Sequence, residues 1–216
     1  MQTSILDRVR QFGVIPVIAI ESVKQARPLA EALIAGGLPI AEITFRTAAA
    51  ADVMKALTGE FPDLLLGAGT VLTSPNLEAA AAAGAKFAVA PGFNPTIAAV
   101  AARMALPFFP GVATPTEIEA ALCSGCKVLK FFPAGELGGV KMVKALSGPY
   151  KHTGVQFVPT GGVKPENLAE YLAIDTVAAC GGTWLATKDA IAQGNWQAIT
   201  EACRQAVAIV KQARAK

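Results

Sequence analysis

Eight short apolar runs, each followed by a helix-like stretch that is usually alanine-rich, predict an α/β fold of the (β/α)8 TIM-barrel class. Three observations carry this prediction. Most of the runs are continuously apolar rather than alternating, as parallel strands covered on both faces require. Glycines at Gly36-Gly37, Gly84 and Gly125 fall where intervening helices must stop, because a left-handed residue is cheap there. No linker or break in composition interrupts the series, so residues 1–216 are expected to form one domain. The chain is shorter than the ~250 residues typical of the class, so its loops must be brief.

The elements follow in order. Met1 to Phe12 spaces Ile5, Leu6, Val9 and Phe12 as an amphipathic helix, an addition ahead of the first strand. Strands are expected at Val14 to Ile20, Ile40 to Phe45, Leu64 to Gly67 and Phe87 to Ala90. Four more are expected at Pro107 to Pro110, Val128 to Phe132, Gln156 to Pro159 and Val177 to Cys180. Asp52 and Asn76 lie early in their helices, where short polar or acidic side chains suit free N–H groups. One extended helix from Ala186 to Lys216 is expected to cover the barrel wall. An open doubly wound sheet is disfavoured, because Glu21-Ser22 follows the first strand where a glycine-rich dinucleotide turn belongs.

Composition removes several function classes. With 53% hydrophobic and 16% charged residues, the chain has a large core and little tendency to disorder. A net charge of +3, scattered rather than striped, does not suit nucleic acid. No apolar stretch reaches the ~20 residues of a membrane span, and the N-terminus lacks the three-part pattern of a signal peptide. A cytoplasmic protein is expected. Cys123-Ser124-Gly125-Cys126 matches C-x-x-C but follows a helix, whereas a redox pair needs a helix N-terminus. His152 is the only histidine, so no metal site and no metal cofactor are expected.

The most informative residue is Lys130, inside the apolar run Val128-Leu129-Lys130-Phe131-Phe132-Pro133. Moving an ammonium out of water costs more than packing returns, so a buried lysine is driven to shed its proton. The free amine is then a nucleophile for a carbonyl substrate. Alternatively, Lys130 lies at a strand edge and lifts its amine to water along its stem. The other polar residues favour chemistry, because they gather at the C-terminal strand ends, where barrels hold their active sites. Glu42, Thr44 and Arg46 share one face of the second strand by alternation, as base and anion clamp or as an internal Glu–Arg pair. Thr70, Thr160 and Thr183 follow the third, seventh and eighth strands. Pro159-Thr160-Gly161-Gly162 and Cys180-Gly181-Gly182-Thr183 place glycine pairs where barrels bind phosphate through backbone N–H groups.

These motifs stand in the order found in a known family. Glu42-Ile43-Thr44-Phe45-Arg46-Thr47, Gly67-Ala68-Gly69-Thr70-Val71-Leu72, Pro91-Gly92, Lys130-Phe131-Phe132-Pro133-Ala134, Gly138-Gly139-Val140-Lys141, Pro159-Thr160-Gly161-Gly162 and Gly181-Gly182-Thr183-Trp184 span nearly the whole chain. The sequence resembles the bacterial 2-keto-3-deoxy-6-phosphogluconate (KDPG) aldolases, which also act as 4-hydroxy-2-oxoglutarate (KHG) aldolases. The resemblance implies a class I aldolase in which Lys130 forms the Schiff base and Glu42 transfers protons. It further implies that Arg46 and Thr70 hold the pyruvyl carboxylate, while Pro91 and Phe132 line the pocket. By the same likeness Thr160 contacts the hydroxyl-bearing part of the substrate, and Gly161, Gly162, Gly182 and Thr183 form the phosphate region. The family usually has serine where this chain has Thr183. A sister family acting on the galactonate-derived epimer lacks the residues matching Arg46 and Thr160. Small keto-acid and aldehyde substrates, no cofactor and a homotrimer are implied. The rival readings are a phosphate-binding isomerase or epimerase without a covalent intermediate, and a silent sugar-phosphate sensor.

Overall fold

The computed structural model describes residues 4–215. The first three positions of the expected N-terminal helix, and Lys216, lie outside the described residues.

Helix α1 (Ile5–Phe12) opens at Ser4, whose hydroxyl accepts the Asp7 N–H, and stops at Gly13 with φ +70°. Strand β1 (Val14–Ile18) leads to α2 (Ala26–Ala35), β2 (Ile40–Thr44), α3 (Ala50–Glu60) and β3 (Leu65–Gly69). The middle of the chain gives α4 (Ser74–Ala82), β4 (Phe87–Val89), α5 (Pro95–Arg103), β5 (Phe108–Phe109) and β6 (Gly111–Val112). Then come α6 (Pro115–Cys123), β7 (Val128–Phe131), α7 (Gly139–Tyr150) and β8 (Gln156–Pro159). The series ends with α8 (Pro165–Leu172), β9 (Cys180–Gly182), α9 (Lys188–Ala192) and α10 (Trp196–Arg214). Thr73, Asn94 and Thr114 cap α4, α5 and α6 with their side chains, and a proline pre-set for the helix follows within two residues.

The strands form a curled parallel sheet in two pieces. One has the order β5-β4-β3-β2-β1-β9 and the other β6-β7-β8. Every strand is buried along its length except Gln156 at the start of β8, which explains the continuous apolar runs. In the core below the site, Phe87 and Phe109 stack with centroids 5.1 Å apart. The Phe87 ring occupies the space a side chain on Gly67 would need. Among the described residues no helix is long and apolar enough to cross a membrane.

Three expectations are corrected. The fifth strand is split at Pro110, which has no N–H to give a ladder: β5 pairs with β4, while β6 pairs with β7. The eighth run begins at Cys180 rather than Val177, because the Val177 N–H closes a turn on the Ile174 carbonyl. Val177 keeps only an isolated bridge to Phe157. The expected single C-terminal helix is two. Gly194 takes φ +65° after α9, and the Asn195 side chain accepts the Ala198 N–H to start α10.

Candidate active site

Lys130 is the third residue of β7, and it is buried. Its Nζ lies 3.4 Å from Glu42 Oε1, with side-chain exposures of 7% and 3%. The strand-edge reading therefore fails: the amine does not reach water along its stem. Phe132, two residues on, faces the same way, and its ring centroid is 5.2 Å from Nζ.

Glu42 reaches this position because Gly69 leaves room for it. A Cβ on Gly69 would come within 2.3 Å of Glu42 Oε1. Sequence reasoning missed this role. Its signal was present, since Gly67 and Gly69 face the same side of one strand and glycine inside a strand marks close approach.

Arg46 stands exposed on the turn after β2, on the side of Thr44, as strand alternation expects. The internal Glu42–Arg46 pair does not form, because Glu42 faces Lys130. Instead Arg46 Nε donates to Thr44 Oγ1 at 3.2 Å, and Thr44 Oγ1 donates to the Ile18 carbonyl at 3.0 Å.

Thr70 follows β3 with φ +56°, a left-handed conformation that L side chains resist and that clusters at ligand clamps. The next N–H, of Val71, turns to the Val89 carbonyl. Pro91 follows β4 and packs its carbonyl on Gly111, where a Cβ would stand 2.0 Å away.

The loops after β7 and β8 are joined. Ala134 N–H donates to Thr160 O and Gly135 N–H to Gly161 O, both at 2.8 Å. Gly161 and Gly162 have φ +87° and +75°. A Cβ on Gly161 would touch the Phe132 ring, and one on Gly162 would meet Gly135 Cα. Thr160 is buried against Gly181, where added bulk would strike its hydroxyl. The hydroxyl donates to Val158 O at 3.3 Å. Gly182 is covered by the Trp184 ring, and Thr183 is exposed beyond β9. The N–H groups of Gly161, Gly162 and Thr183 have no acceptor among the described residues.

All the candidate positions thus lie on β2, β7 and β9 or just past the C-terminal ends of β2, β3, β4, β7, β8 and β9. The structure brings Lys130 into contact with Glu42 and Phe132, and Phe132 with Gly161. Among the described residues no hydrogen bond or ion pair links Arg46, Thr70, Pro91 or Thr183 to that pair. His152 sits ahead of β8, at the other end of its strand. Cys123 ends α6 and is exposed, Cys126 is buried, and neither is in a disulfide. The arrangement offers a buried amine beside a carboxylate, an exposed guanidinium on the turn after β2, and free N–H donors on the loops after β8 and β9.

Comparisons with known proteins agree in direction. Residues 5–202 match the family described as KDPG and KHG aldolase. A 2-dehydro-3-deoxy-phosphogluconate aldolase of Treponema pallidum is 50% identical, with 95% of each chain covered. A KHG/KDPG aldolase of Escherichia coli K12 is 41% identical over 90% of each. The crystal structure of a Legionella pneumophila KDPG aldolase, holding pyruvate as a covalent carbinolamine, superposes with a TM-score of 0.89. It is 41% identical, with 94% of this chain and 98% of that one covered. With the match spanning nearly the whole chain, this protein belongs to the KDPG and KHG aldolase family.

Proposed function

We propose that the protein is a class I aldolase that reversibly cleaves 2-dehydro-3-deoxy-6-phosphogluconate to pyruvate and glyceraldehyde 3-phosphate. It is a carbon–carbon lyase with Lys130 as its nucleophile. The observation that carries this reading is the buried Lys130 amine 3.4 Å from the Glu42 carboxylate.

The chemistry follows from those two groups. Glu42 is close enough to take a proton from Lys130, leaving an amine to attack the C2 ketone. Glu42 gives that proton to the carbinolamine hydroxyl, which leaves as water; the iminium so formed withdraws electrons from C3, and Glu42 is a carboxylate again. Glu42, directly or through a water, removes the C4 hydroxyl proton. The C3–C4 bond breaks, its electron pair flows into the iminium, and the aldehyde leaves. The same proton is returned to C3 of the enamine, and water hydrolyses the imine to free pyruvate. Arg46 and Thr70 hold the carboxylate, with two parallel hydrogen bonds available from the guanidinium. Phe132 and Pro91 form the pocket wall, and Thr160 meets the hydroxyl-bearing carbons. The open N–H groups of Gly161, Gly162 and Thr183, with Gly182, receive the phosphate. The Thr183 hydroxyl serves where relatives usually carry serine.

The same site accepts 4-hydroxy-2-oxoglutarate, as the name of the Escherichia coli relative suggests. The two sheets are read as one closed (β/α)8 barrel over residues 1–216. Pro110 joins β5 to β6, and the bridges Phe157–Val177 and Thr160–Gly181 lie on the seam between β8 and β9. Four free cysteines suit a reducing cytoplasm. A cyclic homotrimer is the assembly, carried over from the family resemblance and open to measurement by light scattering.

One experiment tests the chemistry. Pyruvate plus borohydride is expected to leave a reduced adduct on the peptide containing Lys130. A sensor or a non-covalent isomerase gives no adduct, and an adduct elsewhere removes Lys130 from its role.

A further inference from the structure

Arg46 has no carboxylate partner among the described residues, although it stands on an exposed turn. An arginine so placed samples many rotamers and surrenders them when it binds. Its inner edge, however, is already held. Nε donates to Thr44 Oγ1 at 3.2 Å, and Thr44 is only 1% exposed.

A hydroxyl has one proton and two lone pairs. The Thr44 proton is directed to the Ile18 carbonyl at 3.0 Å, so toward Arg46 this oxygen can only accept. The direction of the relay is therefore fixed: Arg46 Nε–H to Thr44 Oγ1, and Thr44 Oγ1–H to Ile18 O. Thr47 pins the far side of the same turn by donating to the Ile20 carbonyl at 2.7 Å. With Nε occupied, the guanidinium keeps its outer edge free. A carboxylate can then be met by Nη1 and Nη2 together, and not by the side-on Nε edge.

We propose that Thr44 is a positioning residue for substrate carboxylate, holding Arg46 so that its Nη1/Nη2 edge faces the keto acid. This rests on the aldolase reading and on Arg46 as the carboxylate clamp. Thr44 touches no reacting atom and acts only through Arg46.

The test is the pyruvate concentration that half-saturates borohydride trapping on Lys130, together with the plateau of adduct. It is measured in the parent protein, Thr44→Val, Thr44→Ser, Thr47→Val, Arg46→Ala and the double variant Thr44→Val/Arg46→Ala. Thr44→Val is expected to raise half-saturation about tenfold, the scale of one hydrogen bond to a charged group, with the plateau unchanged. Thr44→Ser keeps the hydroxyl and is expected to stay near the parent. In the Arg46→Ala background Thr44→Val is expected to add nothing, since the coupled partner is gone. Parent-like trapping by Thr44→Val overturns the proposal. So does an undiminished cost without Arg46, or an equal cost in Thr47→Val, which would assign the effect to the turn alone. If Thr44→Val does not fold, Thr44→Ala carries the same expectations. A parent protein that forms no adduct refutes the aldolase reading itself. An Arg46→Ala variant with parent half-saturation refutes the clamp, and either result removes Thr44 with it.

Discussion

At the scale of single residues, the side chains of Lys130 and Glu42 make no hydrogen bond among the described residues except to each other. Lys130 is buried, with the Glu42 carboxylate 3.4 Å away and the Phe132 ring beside it. Lys130→Met keeps the length and apolar stem of the side chain. It is expected to abolish both the pyruvate adduct and cleavage while the circular dichroism spectrum stays that of the parent. Retained cleavage would take the amine out of the mechanism. Gly69 gives a sharper test of geometry, because a methyl there must displace the carboxylate. Gly69→Ala is expected to lower kcat by at least about tenfold, as misplaced catalytic groups do, and to resemble Glu42→Gln more than Arg46→Lys. An alanine variant with parent kcat would show that the carboxylate is not held by that gap. Lys130 and Glu42 were legible in the sequence because charge inside an apolar run demands an explanation. That Arg46 bonds Thr44 and not Glu42 was not, since alternation gives a shared face but not a partner. The left-handed Thr70 was equally hidden, because nothing in its residue type announces positive φ.

At the scale of elements, helix starts were easier to read than strand starts. The Thr114-Pro115 start of α6 has a full capping box. Thr114 Oγ1 accepts the Glu117 N–H, and the Glu117 carboxylate accepts the Ala113 and Thr114 N–H groups. Thr114→Ala is expected to cost about 1 kcal/mol in urea unfolding with no change in half-saturation by pyruvate. An unchanged urea midpoint would show that the cap is idle. The Ala113 N–H is the main cause that holds the Glu117 carboxyl below the ordinary glutamate value; burial opposes it, and the Thr114 hydroxyl and N–H add to the lowering. A depressed acid stabilises the fold above its unfolded value and loses that contribution as pH falls through the folded one. The capping contribution is therefore complete at neutrality and disappears below the ordinary glutamate range. Strand limits were harder to see because an apolar run does not reveal which of its N–H groups enters a ladder. The missing N–H of Pro110 and the turn closed by Val177 decided the fifth and last runs. Gly194-Asn195 ended one helix and began another where composition alone read as continuous.

At the scale of the whole molecule, the repeat of apolar run and helix carried the order of strands, and that order is the one observed within each sheet. What the repeat could not carry was where the hydrogen-bonded ladder is interrupted, a matter of single backbone groups. Burial across the fold also sorts the four thiols. Desolvation pushes Cys203 up to about 12 and raises Cys126 and Cys180, while Cys123 is exposed at the end of α6. The thiolate is the reactive form, so iodoacetamide at neutral pH is expected to modify Cys123 in the native protein. Cys126, Cys180 and Cys203 are expected to react only after unfolding, as read by peptide mass. Rapid native labelling of Cys203 would mean that the wall formed by α10 opens readily.

The break at Pro110 has one more implication. Glu42 is rooted in the six-stranded sheet and Lys130 in the three-stranded one, so acid and amine ride on separate slabs. Their 3.4 Å gap is therefore set by how the two pieces meet, through Pro110 on one side and the β8–β9 bridges on the other, and by neither ladder alone. Amide exchange at Phe108, Phe109, Gly111 and Val112 is expected to outpace that of β2 and β3, and matched rates would mean that the junction is as firm as the ladders it joins.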